Sequence, residues 1–368
     1  MKHSILAFTL ALMAVGCSSE QQSPHDYKLL ELQEVMVVGA EDEVAAEGLL
    51  AFPSNVVADS RGNIYVFDRG GMQMKKYGPY GKFQQAFFSE GEGPGEFKQF
   101  GGVTISADDH IFVLDGRNYR LTQIDTLGAS VAQVKVETFV SSRMHVRDSE
   151  TLLILNYDPN QVDQAWSTHL IKEFSLEHGR VEGGLMEAST VIPEDDFVLS
   201  NSAQARIGSA YFAEESVVFV PLLYTGRLYE QPLDGARMTA HGRSEEEAWP
   251  AYTHVEDPSG DNSTLIIYRA GKRVGANIPV ESRGLFKLDS GGYAHFIQVV
   301  NEDEAFWGLE HYAEDWTLLD VYKIRDLEHT EDSMPNLEWF VEWKDQRGNF
   351  YMIDREDIPV VRVFKVAL

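Results

Sequence analysis

The stretch "NVVADSRGNIYVFD" at 55–68 returns in altered form as "GVTISADDHIFVLD" at 102–115, and its second half returns once more as "DQRGNFYMID" at 345–354. Each copy is an apolar run, a polar turn built on Asp with Gly or Asp, and a second run rich in β-branched and aromatic residues. That pattern describes two short antiparallel strands joined by a tight turn. The first two copies lie 47 residues apart, and the same offset carries Gly81 onto Gly128. Self-similarity at such a period points to small sheets that cannot bury their faces alone and must stack on their neighbours.

Looser copies follow the same grammar. They are "RMHVRDSETLLILNY" (Arg143–Tyr157), "IGSAYFAEESVVFVPL" (Ile207–Leu222) and "GLFKLDSGGYAHFIQVV" (Gly284–Val300). With "EWFVEWKDQRGNFYMID" (Glu338–Asp354) the strand pairs number six, and a further strand follows most of them. Helical periodicity is nearly absent. One sheet per repeat predicts an all-β, six-bladed β-propeller of four-stranded antiparallel blades. The last copy supplies three strands before Leu368, while "LLELQEVMVVG" (Leu29–Gly39) has no repeat of its own. Placing that segment as the outer strand of the last blade closes the ring and removes a free sheet edge. The distance from Asp59 to Asp345, 286 residues, would admit a seventh unit. Uneven spacing through the middle and the lack of a seventh strand pair argue against it. Residues 27–368 are thus expected to form a single propeller domain.

The N-terminus reads as an export signal. Lys2 is followed by the apolar run Ile5–Val15, too short to span a bilayer. The run ends in "LMAVGC", which resembles the lipobox of bacterial lipoproteins. That resemblance implies loss of residues 1–16 and lipidation of Cys17, with 17–26 as a polar tether. The alternative is an ordinary secretory signal with an incidental cysteine. Cys17 is the only cysteine, so no internal disulfide is available. Ser18 in place of an aspartate favours the outer membrane of a Gram-negative envelope. The formal net charge of −27 argues against a nucleic-acid partner. A monomer is expected.

"GEGPGEF" (Gly91–Phe97) joins the first blade to the second. Followed by a strand, a turn and "IFVLDGRNYRL", it resembles the NHL-repeat superfamily, and more closely the bacterial six-bladed propeller lipoproteins and exported proteins. The match covers the first two blades and the last. For most of that group it implies a fold and not an activity; some six-bladed propellers are metal-dependent lactonases or arylesterases, and some NHL-type ones are lyases. Read from the residues, the glycines fit neither a P-loop nor a dinucleotide fingerprint, and the glutamates would repel phosphate. They serve the turn, and Phe97 is expected to plug a gap between blades.

No catalytic residue is assignable from the sequence. The 11 histidines fall in no H-x-H or H-E-x-x-H pattern, and one cysteine cannot build a thiolate zinc site. "EDPSGDN" (Glu256–Asn262) is rich in oxygen ligands but lacks the order of an EF-hand loop. No cofactor is expected, although calcium in the central channel is conceivable without direct support. No G-x-S-x-G elbow is present. What remains is a face of loops: "DRGG" (Asp68–Gly71), "DGRN" (Asp115–Asn118), "YDPN" (Tyr157–Asn160), "YTGR" (Tyr224–Arg227), "DRED" (Asp354–Asp357) and the longer "NEDEAFWGLEHYAED" (Asn301–Asp315). Arg69, Arg117 and Arg355 recur after a strand-ending aspartate. A structural reading has each Asp capping its turn and each Arg tying a neighbouring blade. The functional reading makes Arg69, Arg117, Tyr224, Arg227, Trp307, Tyr312 and Arg355 a binding face, since arginine and aromatics anchor interfaces. Trp307 could equally fold back as a hydrophobic plug. The expected function is a non-catalytic binding or scaffold propeller of the cell envelope that takes a protein, peptide or glycan. The alternative is a metal-dependent hydrolase or lyase with its site in the channel.

Overall fold

The computed structural model describes residues 27–40, 46–136, 143–155, 166, 168–191, 207–221, 224–250, 253–255, 265–269, 272–301, 304–327 and 339–368. Residues 1–16, expected to be a leader, and 17–26, expected to be a tether with Cys17, lie outside them. So do "YDPN" and "EDPSGDN".

Six antiparallel sheets form a six-bladed β-propeller. Blade 1 is Pro53–Ala58, Ile64–Asp68, Gln73–Tyr77 and Phe83–Phe87; blade 2 is Phe100–Ile105, Ile111–Asp115, Arg120–Ile124 and Ser130–Lys135. Blade 3 is Arg143–Val146, Thr151–Leu155, His169–Ser175 and Arg180–Glu187; blade 4 is Ile207–Phe212, Ser216–Pro221, Arg227–Pro232 and Thr239–Gly242. Blade 5 is Val280–Lys287, Tyr293–Val300, Ala305–Tyr312 and Leu318–Asp326. Blade 6 takes Phe340–Lys344, Phe350–Asp354 and Val360–Lys365 from the end of the chain, and Gln33–Val38 from its start. The expected closure is therefore present. The N-terminal segment also does more than expected. Lys28–Leu29 first runs parallel to the outer strand of blade 5, pairing with Tyr322–Lys323, before the chain crosses to blade 6. A small sheet of Thr253–Val255, Leu265–Arg269 and Lys272–Asn277 stands between blades 4 and 5 in the chain, and no repeat announces it.

The second strands read as unbroken apolar runs because both of their faces are covered. In "IYVFD", Ile64 and Val66 pack into the seam with blade 6, while Tyr65 and Phe67 pack into the seam with blade 2. Among the described residues there are six apolar clusters, and each one draws its residues from two adjacent blades. The core is thus a ring of seams around a channel. Each large side chain buried in a seam contributes on the order of 1.5–3 kcal/mol.

"GEGPGEF" is built into one such seam. Phe97 is 1% exposed and packs against Phe88 and Phe100. Asn118 Nδ2 donates to Gly91 O at 2.8 Å, and Arg120 donates to the carbonyls of Glu92 and Glu96, so blade 2 clamps the crossing. Gly95 sits at φ +74°, where a side chain would be strained.

Candidate functional site

Five of the six innermost strands carry one extra residue against their partner strand. In blade 1, Pro53 faces Asp68 and Asn55 faces Phe67, leaving Ser54 over. The counterparts are Gly101 in blade 2, Gly208 in blade 4, Arg283 in blade 5 and Glu342 in blade 6. A bulge twists its strand, re-aims the side chain and frees a peptide group from the ladder. Arg143 of blade 3 uses one such group: its Nη2 donates to Gly208 O at 2.7 Å.

The innermost strands of all six blades enclose a cavity of about 420 Å³. Its lining includes Asn55, Thr104, Arg143, His145, Tyr211, Phe212, Glu342 and Trp343. Arg143 and the bulged Glu342 face one another from blades 3 and 6, on opposite sides of the ring, at 3.8 Å. That is the one ion pair of Glu342 among the described residues, and it is a loose one. The His145 ring stacks on Phe212 with centroids 4.5 Å apart and planes 10° from parallel. Burial pulls the His145 imidazole down to about 4, so it is neutral near pH 7. Trp343 belongs to the half-buried lining, yet its Nε1 is buried and meets no acceptor among the described residues. Indole N–H is a donor only, and leaving it unpaired costs about 1–3 kcal/mol. The cavity wall thus holds a guanidinium, the Glu342 carboxylate and five aromatic rings (His145, Tyr211, Phe212, Phe286 and Trp343), with Lys287, Lys344 and Asp345 also in the lining.

The cavity lies toward the far ends of the first strands, at 55–57 of Pro53–Ala58 and 285–287 of Val280–Lys287. Arg69, Arg117 and Arg355 lie at the other end. They follow the ends of second strands, where Asp68 pairs with Pro53 and Asp115 with Phe100. The aspartates there cap the entry to their own blades. Asp68 accepts from the amides of Ala51 and Phe52, and Asp115 from those of Lys98 and Gln99. Arg355 ties blade 6 to blade 1, its Nε donating to Pro53 O at 2.8 Å and its guanidinium lying over Phe52. Arg69 and Arg117 are exposed, and Arg227 is half-buried at the start of a strand.

The segment Asn301–Asp315 corrects the sequence reading. It is not a long loop, because Ala305–Tyr312 is the third strand of blade 5. Trp307 is 3% exposed, stacked on Phe296 and edge-on to Trp339 in the seam with blade 6. It is part of the core and cannot be an exposed contact. Tyr312 is fully buried and Tyr224 nearly so. Their hydroxyls meet at 2.8 Å and both donate to Glu310.

Glu310 is the centre of a network invisible in the sequence. Its Oε2 also contacts His295 Nδ1 at 2.9 Å, and its Oε1 accepts from Arg243 Nε at 2.7 Å and Trp249 Nε1 at 2.9 Å. Burial pushes this carboxyl up, but the bond and charge of His295, the charge of Arg243 and the Tyr224 hydroxyl together bring it down to about 2. Ser282 Oγ lies 2.8 Å from His295 Nε2, so serine, histidine and glutamate stand in the order of a hydrolase relay. The chemistry does not follow. Ser282 is 1% exposed, His295 is fully buried, and the serine hydroxyl donates to Ser209 of blade 4 at 2.6 Å. The network pins blade 4 to blade 5. Among the described residues no group of three or more His, Cys, Asp and Glu side chains is disposed to hold a metal.

No family model matches the chain, and no curated protein matches it. Solved structures do. A member of the DUF4221 family from Bacteroides vulgatus is 10% identical, with a TM-score of 0.55, over 93% of this chain and 99% of that one. A Bacteroides fragilis protein described as a candidate for export is 10% identical, with a TM-score of 0.56, over 92% and 96%. The U3-55K structure is 9% identical, with a TM-score of 0.51, over 91% and 99%. At these identities the likeness is one of fold.

Proposed function

We propose that this chain is an exported, membrane-tethered binding propeller whose ligand is a small molecule of peptide or glycan origin, held in the central channel. The observation that carries this reading is the cavity of about 420 Å³ bounded by all six innermost strands, with Arg143, Glu342 and Trp343 in its wall. Ligand sites are typically enclosures of about 300–1,000 Å³ with mostly apolar walls and a few placed polar groups. The half-buried Tyr211, Phe212 and Trp343 supply flat apolar area at little entropic cost. The expectation of a site on the loop face loses its aromatic anchors, since Trp307, Tyr224 and Tyr312 are buried. Titration of the purified protein with a panel of short peptides, amino acids and oligosaccharides tests the reading. Trp343→Ala should weaken any ligand found by at least about tenfold, or 1.4 kcal/mol. A ligand that binds the variant as tightly as the parent would move the site elsewhere.

Export and tethering rest on the sequence of the leader and on Cys17. The candidate-exported neighbour fits the same picture. Cys17→Ser should release the protein from a salt-washed membrane fraction; retention there would end the lipoprotein reading. The metal-dependent hydrolase or lyase has no ligand cluster to point to among the described residues. Stoichiometric calcium or zinc in the purified protein would revive it.

A further inference from the structure

We propose that the channel ligand is a free α-amino acid in its zwitterionic form, with a large apolar or aromatic side chain; this rests on the channel reading above. Three features of the wall lead there. First, the cavity holds one guanidinium and one carboxylate with unfilled capacity. Arg143 gives one Nη to Gly208 O, and its other Nη stands 3.8 Å from Glu342, beyond hydrogen-bond distance. The Glu342 carboxylate has no hydrogen bond among the described residues. An anion alone would suit Arg143 but face Glu342, and a cation alone would suit Glu342 but face Arg143. A neutral sugar can hydrogen-bond to both groups but brings a counter-charge to neither. A molecule with both charges pairs each one, and charge-assisted bonds are the strong ones.

Second, the spacing selects a single residue. Arg143 and Glu342 reach within 3.8 Å of each other, so the groups they take must be neighbours. Carboxylate and ammonium on one α-carbon are neighbours. In a dipeptide they are separated by a further Cα–Cα step of about 3.8 Å. Third, the wall beside that pair is largely aromatic; of its other charged groups, Lys344 pairs with Asp289, Asp345 is held by its own turn and Lys287 is exposed. His145, stacked on Phe212, is neutral at pH 7, and Tyr211 and Trp343 are half-buried beside the same space. These rings suit a phenyl, indole or long aliphatic side chain in offset or edge-on contact. A bulge sets the register that makes this possible, since Glu342 is the extra residue between Val341 and Trp343. Carboxylate and indole therefore come from consecutive positions of one strand.

Calorimetric titration of the full-length protein tests the assignment, with L-phenylalanine as probe. N-acetyl-L-phenylalanine lacks the ammonium, L-phenylalaninamide lacks the carboxylate, and maltose is the neutral control. L-phenylalanine should bind, and each blocked analogue should bind at least tenfold more weakly. Glu342→Gln should weaken L-phenylalanine by tenfold or more, yet leave N-acetyl-L-phenylalanine within about twofold. Arg143→Met should do the reverse, hitting the free acid and sparing the amide. Circular dichroism and melting of both variants establish that the ring is intact. Equal losses for free and blocked forms would overturn the zwitterion. Maltose binding that is lost in Trp343→Ala, with none of L-phenylalanine, would keep the channel as a site and sink this ligand class. Binding of neither probe refutes the zwitterion, and silence across the wider panel would refute the channel reading with it.

Discussion

In blade 1, Asp59 accepts from the amides of Arg61 and Asn63, from Asn63 Nδ2 and from the Tyr65 hydroxyl. In blade 6, Asp345 repeats this atom for atom with Arg347, Asn349 and Tyr351. Between blades 4 and 5, one carboxylate instead gathers His295, Arg243, Trp249, Tyr224 and Tyr312. Both arrangements satisfy a carboxylate out of reach of water. The first does so within seven residues of chain and is rebuilt wherever the turn recurs. The second needs two strands of blade 5 and two loops from blade 4 to arrive together. A propeller can therefore fix its blades by local chemistry that repeats, or by a single long-range cluster that cannot. The two should fail differently when cut.

The largest effect is expected at the long-range cluster. Glu310→Gln removes the charge that compensates Arg243 in a fully buried place and weakens the contact with His295 Nδ1. Breaking a buried pair from one side costs about 3–5 kcal/mol. Urea unfolding at pH 7 should show a loss of that size, and a loss below about 1 kcal/mol would mean that the cluster is not what joins the two blades. The acid limb sharpens the test. The Glu310 carboxyl is held at about 2 against an ordinary 4.5, so its folded-state value is depressed. Its stabilisation is then complete above about pH 4.5 and is lost as the pH falls through 2. The parent should weaken over that window, and Glu310→Gln should lack that part of the slope.

The same contrast governs what could be read from the sequence. The ring, its six blades and its closure were legible because Asp–x–Arg–Gly–Asn turns and apolar strands are local and repeat. Glu310 was not legible. Its partners lie at 224, 243, 249, 295 and 312, and only strand register and blade stacking bring them together. The same glutamate disguised its own strand. With Glu302, Asp303 and Glu304 before it and Glu314 and Asp315 after it, "AFWGLEHY" looked like the middle of an acidic loop. A buried carboxylate breaks the apolar run that would have marked Ala305–Tyr312 as a strand. The channel wall was hidden for another reason. Bulges at Ser54, Gly101, Gly208, Arg283 and Glu342 reset which residues turn toward the axis, and a bulge has no fixed residue signature outside glycine.

An intermediate effect is expected at the repeated turns. Asp345→Ala strands two amides, the Asn349 side chain and the Tyr351 hydroxyl. Some of these regain water, so the expected loss is about 2–3 kcal/mol rather than the sum of every bond. Asp59→Ala should cost about 1 kcal/mol less, because the Tyr65 hydroxyl keeps a second acceptor, Thr126 O, at 3.3 Å. The double variant should be additive within about 0.5 kcal/mol, as independent sites are. Marked non-additivity in melts of the three variants would mean that the two turns are coupled through the closing seam, where Arg347 packs against Gly62.

The smallest effect is expected where an ion pair crosses a seam in the open. Arg325 of blade 5 and Glu356 beside blade 6 meet at 2.8 Å, with side chains 47% and 34% exposed. On paper this joins two blades much as Arg243 and Glu310 do, over nearly the same distance. Its surroundings differ. Water screens the charges, and ordering two long side chains opposes the attraction, so exposed pairs contribute about 0–1 kcal/mol. The Arg325 guanidinium is also held independently, 3.4 Å from the Trp339 ring centroid. Glu356→Gln keeps the shape, the ring contact and a weaker hydrogen bond. It should therefore shift stability by less than about 0.5 kcal/mol, and by less still in 1 M salt, where the Debye length falls to about 3 Å. A loss of 2 kcal/mol or more that persists in high salt would put this pair in the same class as the Glu310 cluster, and exposure would no longer explain why one seam bond outweighs another.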